Sequence, residues 1–192
     1  TCNFSCCIGS ISSTKVIING KEVCRHDGGY STFRVNITDK LEENNVLEIY
    51  VDNSPNDYVY PQKADFTFYG GIYRDVYMIT TDSVNFDLED HGGRGFYITP
   101  HINGKDAHIT FEANISGYAD KAVVSVEGEG EVELSLMKMS DEKNNVKFLG
   151  QGSLTIKDVH RWDGVNDPFL YKATATLYKN GKIVDLVTER FG

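Results

Sequence analysis

The chain has 192 residues, of which 40% are hydrophobic and 24% charged, a composition that is typical of a globular protein with a sizeable core. Its 28 acidic and 19 basic residues give a formal net charge of −9, which argues against a nucleic-acid partner because phosphate binding needs clustered Lys and Arg. No apolar run approaches the roughly 20 residues of a membrane span, so we expect a soluble protein without a membrane partner. Cytoplasm and periplasm both fit this composition.

The four cysteines, Cys2, Cys6, Cys7 and Cys24, all lie near the start of the chain. None shows the paired Cys-x-x-Cys spacing of a zinc site, so no metal centre is predicted there. A chain of this length does not need disulfides to hold a core. We therefore predict four free thiols.

Short runs in which apolar and polar residues alternate predict β-strands from one end of the chain to the other, and no comparable helical stripe is present. The apolar members of these runs are, in chain order, Phe33, Val35 and Ile37; Leu47, Ile49 and Val51; Ile109, Phe111, Ala113 and Ile115; Val132, Leu134 and Leu136; and Ala173, Ala175 and Leu177. The predicted fold class is all-β.

Three Asn-Gly-Lys sequences separate such runs, at residues 19–21, 103–105 and 180–182. Asn-Gly suits a two-residue type I′ turn, in which both central residues have positive φ. Each of the three is therefore predicted to close a β-hairpin.

A domain boundary is predicted near residues 80–83, between an apolar strand and a polar loop, which gives domains of residues 1–82 and 83–192. From Gly95 onwards the strand spacing fits one sandwich of about seven strands, close to the size of an immunoglobulin-like domain. The Cys…Trp…Cys pattern of antibody domains is absent.

Three segments of the chain carry a resemblance to a known family. In residues 64–76, Asp65 precedes an aromatic run, the pair Gly70-Gly71 and Arg74. Residues 28–38 read GGYSTFRVNIT, and residues 162–171 are followed by Arg-Phe-Gly at 190–192. Together these segments resemble glycoside hydrolase family 2, which includes β-galactosidases, β-glucuronidases and β-mannosidases.

The resemblance implies two β-sandwich domains. Residues 1–82 correspond to the C-terminal part of the family's jelly-roll-like sugar-binding sandwich, whose N-terminal half is expected to precede this chain. Residues 83–192 correspond to a complete immunoglobulin-like sandwich. Arg-Phe-Gly occupies the last strand before the family's catalytic barrel, so the barrel and its two catalytic glutamates are expected to lie outside this chain. No catalytic residue and no cofactor are predicted within it.

Asp65 is the one substrate-binding residue that the resemblance predicts. At this spacing in the family, an aspartate reaches into the sugar site of the barrel and binds a hydroxyl group or an associated cation. A carboxylate accepts hydrogen bonds from hydroxyls, and Phe66 and Phe68 offer apolar faces beside it. Without the resemblance, an aspartate that caps a turn before a strand is the favoured interpretation of Asp65. Tyr69 is expected to complete a core rather than to stack on sugar.

Other polar residues are given structural roles. Gly70 and Gly71 are expected to allow a bend or a close approach, and Arg74 to pair with an acidic neighbour or with loop carbonyls. Loop position predicts an exposed His26. The acidic groups at residues 87–91 and 158–167 lack the spacing of a calcium loop. Glu42-Glu43 and Glu129, Glu131 and Glu133 are expected to be solvated charges.

Within the family, the resemblance favours a retaining β-galactosidase as the parent enzyme, with β-glucuronidase and β-mannosidase as alternatives. Carbohydrate substrate would then be bound through the barrel, and a homo-oligomer is compatible with the resemblance. The rival from another class is a stand-alone carbohydrate-binding or adhesive module, since sandwich folds host many functions.

Overall fold

A computed structural model of the chain describes residues 2–10, 12–29, 31–59, 63, 65, 67, 69–139 and 146–192, with the backbone alone for residues 2–10. The chain divides into two compact units, Thr1–Thr81 and Asp82–Gly192. Apart from one 3₁₀ turn at Thr38–Lys40, the regular structure of the described residues consists of β-strands. The prediction of an all-β fold is confirmed.

The first unit contains two three-stranded sheets. Its strands are β1 (Cys2–Ser10), β2 (Ser13–Ile18), β3 (Lys21–Asp27), β4 (Phe33–Asn36), β5 (Leu47–Asp52) and β6 (Ile72–Asp82). One sheet has the order β4-β1-β6 and the other the order β3-β2-β5. β2 is therefore the central strand of the second sheet, with an antiparallel neighbour on each side.

Alternation along β2 fixes which face of its sheet is buried. Thr14, Val16 and Ile18 are almost fully buried, whereas Lys15 is exposed and Ile17 is only partly buried. Phe33 and Val35 of β4 join them in one apolar cluster, with Ile37 beyond the end of that strand. Because strand side chains point to opposite faces in turn, the other face of β2 carries Ser13, Lys15 and Ile17.

The second unit contains two larger sheets. Its strands are β7 (Asn85–Phe86), β8 (Phe96–Asn103), β9 (Asp106–Ser116), β10 (Lys121–Val126), β11 (Gly130–Glu133), β12 (Ser135–Met139), β13 (Lys147–Ile156), β14 (Tyr171–Lys179) and β15 (Lys182–Phe191). One sheet has the order β11-β10-β14-β15. The other has the order β12-β13-β9-β7, and β8 also pairs with β9.

One contiguous core lies between these two sheets. β9 buries every second residue, including Ile109, Phe111 and Ile115, and β14 faces it with Ala173, Ala175 and Leu177. The small alanines of β14 opposite the larger side chains of β9 let the two layers interdigitate. All of these residues belong to the alternating runs predicted from the sequence.

The predicted strand over residues 132–136 is divided in two. β11 pairs with β10 in one sheet, and β12 pairs with β13 in the other. The division falls at Leu134, which is 4% exposed and donates its backbone N–H to the Ala122 carbonyl at 2.9 Å. Val132 and Leu136 both pack on the same core, so the chain changes sheets without losing its apolar alternation.

Two of the three predicted type I′ turns have the expected backbone. Asn19 and Gly20 have φ values of 51° and 75°, and Asn180 and Gly181 have 52° and 71°. The third hairpin is shifted by one residue, because Asn103 pairs with Asp106 and the turn is made by Gly104 and Lys105. Gly104 has a φ of 63°, while Asn103 and Lys105 are not in the left-handed region, a sign pattern that fits a type II′ turn.

Several predictions fall outside the described residues or side chains. These concern Tyr30, Ala64, Phe66 and Phe68, and the thiols of Cys2, Cys6 and Cys7. Cys24 is described, has no disulfide partner among the described side chains and is half-buried, which raises the pKa of its thiol. No helix in the described part of the chain is long and apolar enough to cross a membrane.

The partly buried carboxyl group of Asp185, in the second unit, leads to a prediction about how stability depends on pH. Burial raises the pKa of its carboxyl group, although the backbone N–H groups of Phe86 and Leu186 each donate to it at 2.9 Å. A raised folded-state pKa means that this group's stabilising contribution is complete below about 3.9, the ordinary Asp value, and is lost as pH rises through the folded value. Asp185→Asn removes that loss.

We therefore expect the stability of Asp185→Asn relative to the wild type to improve between about pH 4 and about pH 7. Urea unfolding of both proteins at the two pH values measures this difference. A relative stability that stayed constant, or that moved in favour of the wild type, would contradict the proposed titration.

Candidate functional site

Asp65 lies on a bend in the connection between β5 and β6, and its side chain is exposed. This position leaves the carboxylate accessible to a ligand. The aromatic faces predicted beside it, on Phe66 and Phe68, lie outside the described residues and remain a prediction. The sugar-binding role of Asp65 is likewise a prediction at this point.

Gly70 and Gly71, which follow Asp65, each require glycine for a different structural reason. A Cβ atom on Gly70 would lie 2.7 Å from Cγ of Asn53, so the backbone passes directly against that amide group. Gly71 has open space around it but a φ of 98°, a conformation that side-chain-bearing residues avoid. The bend and the close approach predicted from the sequence are both present.

The residues at the entry to β6 are mostly exposed. Tyr69 is 73% exposed and does not complete a core, contrary to expectation. The guanidinium carbon of Arg74 lies 5.1 Å from the centre of the Tyr73 ring, which is a cation–π distance. Among the described residues this ring, rather than an acidic side chain, is the partner of Arg74. Tyr77 donates its hydroxyl hydrogen to Asp75 Oδ2 at 2.6 Å.

β6 itself presents apolar side chains to solvent on both of its faces. Ile72, Val76 and Met78 alternate along one face and are 47%, 37% and 53% exposed. Tyr73 and Tyr77 on the other face are 40% and 57% exposed. The bend that carries Asp65 therefore leads into a strand whose apolar side chains are exposed on both faces.

In the acidic loop at residues 87–91, the carboxylates of Asp87 and Asp90 accept hydrogen bonds from other residues of the chain. Asp87 is buried and accepts a bond from Lys147 Nζ at 2.9 Å, and also one from the backbone N–H of Glu89. Asp90 accepts the Tyr97 hydroxyl hydrogen and a bond from the Asn114 amide at 2.9 Å. The Tyr97 bond is the main cause that lowers the pKa of Asp90.

His26, which was singled out in the sequence, and His160 both have local partners. His26 lies on β3 and is half-buried rather than exposed, with its ring stacked on Phe33 at 4.3 Å. Burial lowers the pKa of His26, and the charge of Asp27 opposes this effect. His160 Nε2 lies 2.7 Å from Asp167 Oδ2, and this contact lowers the pKa of Asp167.

The carboxylates of Glu42, Glu43, Glu129, Glu131 and Glu133 all belong to exposed residues. Glu133 lies 3.1 Å from Lys121 Nζ. Within the part of the chain that the structure describes, no group of three or more His, Cys, Asp or Glu side chains is placed to hold a metal ion.

The segment before β14 packs one aromatic ring into the core and leaves another outside. Tyr171 is buried and stacks on Phe191 with ring centres 5.5 Å apart. Trp162 is 56% exposed and lines an apolar hollow of about 310 Å³ together with Ile102, Ile109 and Val159. Tyr171 therefore packs into the core, whereas Trp162 lies at the surface.

A second hollow, of about 220 Å³, lies on the outer face of the β3-β2-β5 sheet, and sequence reasoning missed it. It is lined by Ser13, Thr14, Lys15, Glu22, Arg25, Tyr50 and Asp52. We call it the outer-face hollow. The signal was present in the run Leu47–Asp52, because its polar members Glu48, Tyr50 and Asp52 alternate with the apolar ones and must share the outer face.

Comparisons of the sequence with known proteins all point to the same family. The sequence profile of "Glycosyl hydrolases family 2" matches residues 94–192, just over half of the chain. A β-glucuronidase of Bacteroides fragilis is 32% identical over 96% of this chain and 28% of its own length. A β-galactosidase of Thermoanaerobacterium thermosulfurigenes is 26% identical over 96% of this chain and 26% of its own length.

The fold agrees with a crystal structure of a related enzyme. The crystal structure of an FMN-binding β-glucuronidase from Facaelibacterium prausnitzii L2-6 superposes with a TM-score of 0.82 and 29% identity, covering 100% of this chain and 29% of that protein. The chain thus spans between 26% and 29% of the length of these three proteins. By its matching profile over residues 94–192, this chain belongs to glycosyl hydrolase family 2.

Proposed function

We propose that this chain is a non-catalytic region of a retaining β-glycosidase, where it supports the catalytic domain and adds one residue to the sugar site. The observation that carries the proposal is the family profile over residues 94–192. Relatives that are at least three times longer support the view that most of the enzyme lies in other parts of the protein.

The described carboxylates support a non-catalytic role. A retaining glycosidase needs two carboxyl groups about 5–5.5 Å apart on either side of the scissile bond. Asp87 and Asp90 already accept bonds from Lys147, Tyr97 and Asn114. Glu42 and Glu43 lie on an open surface where a substrate would stay hydrated.

Asp65 is the residue of this chain that we assign to the sugar site. Its exposed carboxylate can accept one charge-assisted hydrogen bond from a substrate hydroxyl. A cation bound beside Asp65 is the alternative, and its remaining ligands would have to come from outside the described part of this chain, which offers no suitable cluster. In both cases the site is complete only with the catalytic domain in place.

Terminal β-galactosides and β-glucuronides are the two substrate classes that we propose. The sequence resemblance favours galactosides, and the 26% identical β-galactosidase supports that choice. The 32% identical β-glucuronidase supports glucuronides. These two sugars differ at C4, where the hydroxyl group has the opposite configuration, and at C6, where a glucuronide carries a carboxylate. An enzyme with a cationic group near C6 would therefore select the glucuronide.

Incubation with para-nitrophenyl β-galactoside and β-glucuronide tests the proposal. We expect a full-length protein containing this chain to hydrolyse one of them, and the 192-residue chain alone to hydrolyse neither. A mock purification from the same host controls for contaminating glycosidase. Turnover that follows the purified chain through every column would contradict the non-catalytic role, and a full-length protein inactive on both substrates would contradict the proposed substrate classes.

A further inference from the structure

Two hairpins of the chain are closed by the same turn. Asn19 and Gly20 join β2 to β3 with φ values of 51° and 75°, and Asn180 and Gly181 join β14 to β15 with φ values of 52° and 71°. Lysine follows each glycine, so the two sites share their residues and their backbone conformation but differ in their surroundings. The hairpin at residues 103–106 has a different turn and is not comparable with these two.

The side-chain amide of Asn19 is held by three hydrogen bonds. Its Nδ2 donates to the Lys40 carbonyl at 3.2 Å and to Asn45 Oδ1 at 2.9 Å. Its Oδ1 accepts the backbone N–H of Val46 at 2.9 Å. Rotation of the Asn19 side chain away from this position therefore breaks all three bonds.

The side-chain amide of Asn180 has no comparable support. Asn180 is exposed, and its backbone N–H donates to Asp120 Oδ2. Among the described residues, none forms a hydrogen bond with its side chain. The side chain of Asn180 can therefore rotate while the turn stays in place.

We infer that Asn180 is a site of spontaneous deamidation and that the fold protects Asn19 from the same reaction. The backbone nitrogen of the following glycine loses its proton to hydroxide and attacks Cγ of the asparagine. The new N–Cγ bond closes a succinimide ring, the Cγ–Nδ2 bond breaks, and the amide nitrogen takes up a proton and leaves as ammonia. Water then opens the ring and gives aspartate or isoaspartate.

Freedom of the side chain controls the rate of this reaction. Cγ has to swing round until it meets the backbone nitrogen of the next residue, which glycine leaves unshielded in both turns. At Asn19 that movement breaks three hydrogen bonds, each of which is worth roughly a twofold to tenfold factor in an equilibrium. At Asn180 it breaks none, so the folded state should slow the reaction at Asn19 at least about tenfold more than at Asn180.

Deamidation of Asn180 would weaken the hairpin formed by β14 and β15. The product places a negative charge beside the carboxylate of Asp120, which accepts the Asn180 backbone N–H, and like charges repel. Isoaspartate also adds a main-chain atom to a turn that accommodates two residues. Because this hairpin carries the buried Ala175 and Leu177, the modification would lower the stability of the second unit as the protein ages.

Incubation of the purified, folded protein at mildly alkaline pH, followed by peptide mapping with mass spectrometry, tests the inference. Cleavage after aromatic residues places Asn19 and Asn180 in separate peptides. The same incubation in concentrated urea gives the rate at each site in the unfolded chain, so the ratio of unfolded to folded rate removes the effect of neighbouring residues. We expect this ratio to be at least about tenfold larger for Asn19 than for Asn180.

Asn45→Ala removes one acceptor of Asn19 and should speed deamidation there roughly twofold to tenfold, with no change at Asn180. Asn45→Asp is the matched control, because it keeps an oxygen at the accepting position. Gly181→Ala should slow the reaction at Asn180 by shielding the attacking nitrogen, and no atom lies within 4 Å of the added Cβ.

Equal ratios at the two sites, or a larger ratio at Asn180, would overturn the inference. An Asn19 rate that is the same in Asn45→Ala and in the wild type would also overturn it, because the hydrogen bonds would then not be what protects Asn19.

Discussion

Ile115→Ala is expected to lower the free energy of unfolding of the second unit by about 2–5 kcal/mol. Ile115 has no exposed surface and lies on β9 between Phe86 and Phe148, its neighbours on the adjacent strands. Removing its outer carbons takes away buried apolar contacts and leaves a cavity that paired strands on both sides cannot close. The effect should appear as a lower midpoint of chemical denaturation.

Ile183→Ala is the matched control, since Ile183 is also on a strand of the second unit but is 58% exposed. It should cost less than about 0.5 kcal/mol. The fluorescence of Trp162 reports this unit selectively because it is the only tryptophan of the chain. Equal effects of the two substitutions would show that the core is not where the structure places it.

Gly117→Ala is expected to destabilise the same unit by about 2–5 kcal/mol. Gly117 has a φ of 83°, and a Cβ atom there would lie 2.5 Å from the Ser83 carbonyl oxygen. The obstructing atom belongs to the backbone, so rotation of a side chain cannot relieve the clash. Gly117 also donates its N–H to the Val146 carbonyl at 2.7 Å, which prevents it from moving away.

Gly104→Ala separates the clash from the cost of the backbone conformation. Gly104 has a φ of 63° but no neighbouring atom within 4 Å of the position of a Cβ atom. We expect about 1–2 kcal/mol for this variant, from the left-handed conformation alone. If Gly104→Ala were as costly as Gly117→Ala in the same denaturation experiment, the close approach at Gly117 would not exist.

Strands were predictable from the sequence because each long run buries one face. The period-two pattern over Ile109–Ile115 allows a single orientation towards the core, and the structure adopts it. The Asn19-Gly20 and Asn180-Gly181 turns were predictable for a similar reason, since few dipeptides accept two positive φ values.

Features that depend on distant pairing were not predictable. The sheet change at Leu134 preserves the apolar alternation, so nothing in the local pattern marks it. The hairpin at Gly104 shifts by one residue because Asn103 pairs with Asp106, and this register of β8 against β9 also places buried Phe96 opposite buried Ala113 at the far end of the pair. The turn sequence alone does not specify that register.

The candidate sites divide in the same way. Asp65 was found through a family resemblance around Gly70 and Gly71, whose backbone requirements the structure then explains. The outer-face hollow has no motif, because Arg25, Lys15 and Tyr50 come from three strands and meet only through register. Tyr69 was expected in a core but is exposed to solvent. The sequence pattern identified the residue as an aromatic at the edge of a strand, but it could not show whether other residues cover that edge.

A carbohydrate-binding or adhesive module remains the competing function, and the assignment of Asp65 to an enzyme's sugar site decides between the two. Asp65→Ala in a full-length enzyme should lower kcat/KM roughly ten- to a hundredfold, which corresponds to about 1.5–3 kcal/mol for one lost charge-assisted hydrogen bond. Asp75→Ala is the control, because Asp75 is exposed on β6 and bonds within the chain to Tyr77. Thermal melting checks that both variants fold.

The most direct measurement is therefore kcat/KM of Asp65→Ala and Asp75→Ala side by side, on whichever para-nitrophenyl glycoside the full-length enzyme hydrolyses. Our account predicts a loss of roughly tenfold or more for Asp65→Ala and near wild-type values for Asp75→Ala. Wild-type efficiency in a normally folded Asp65→Ala variant would contradict the account and leave Asp65 as a turn residue.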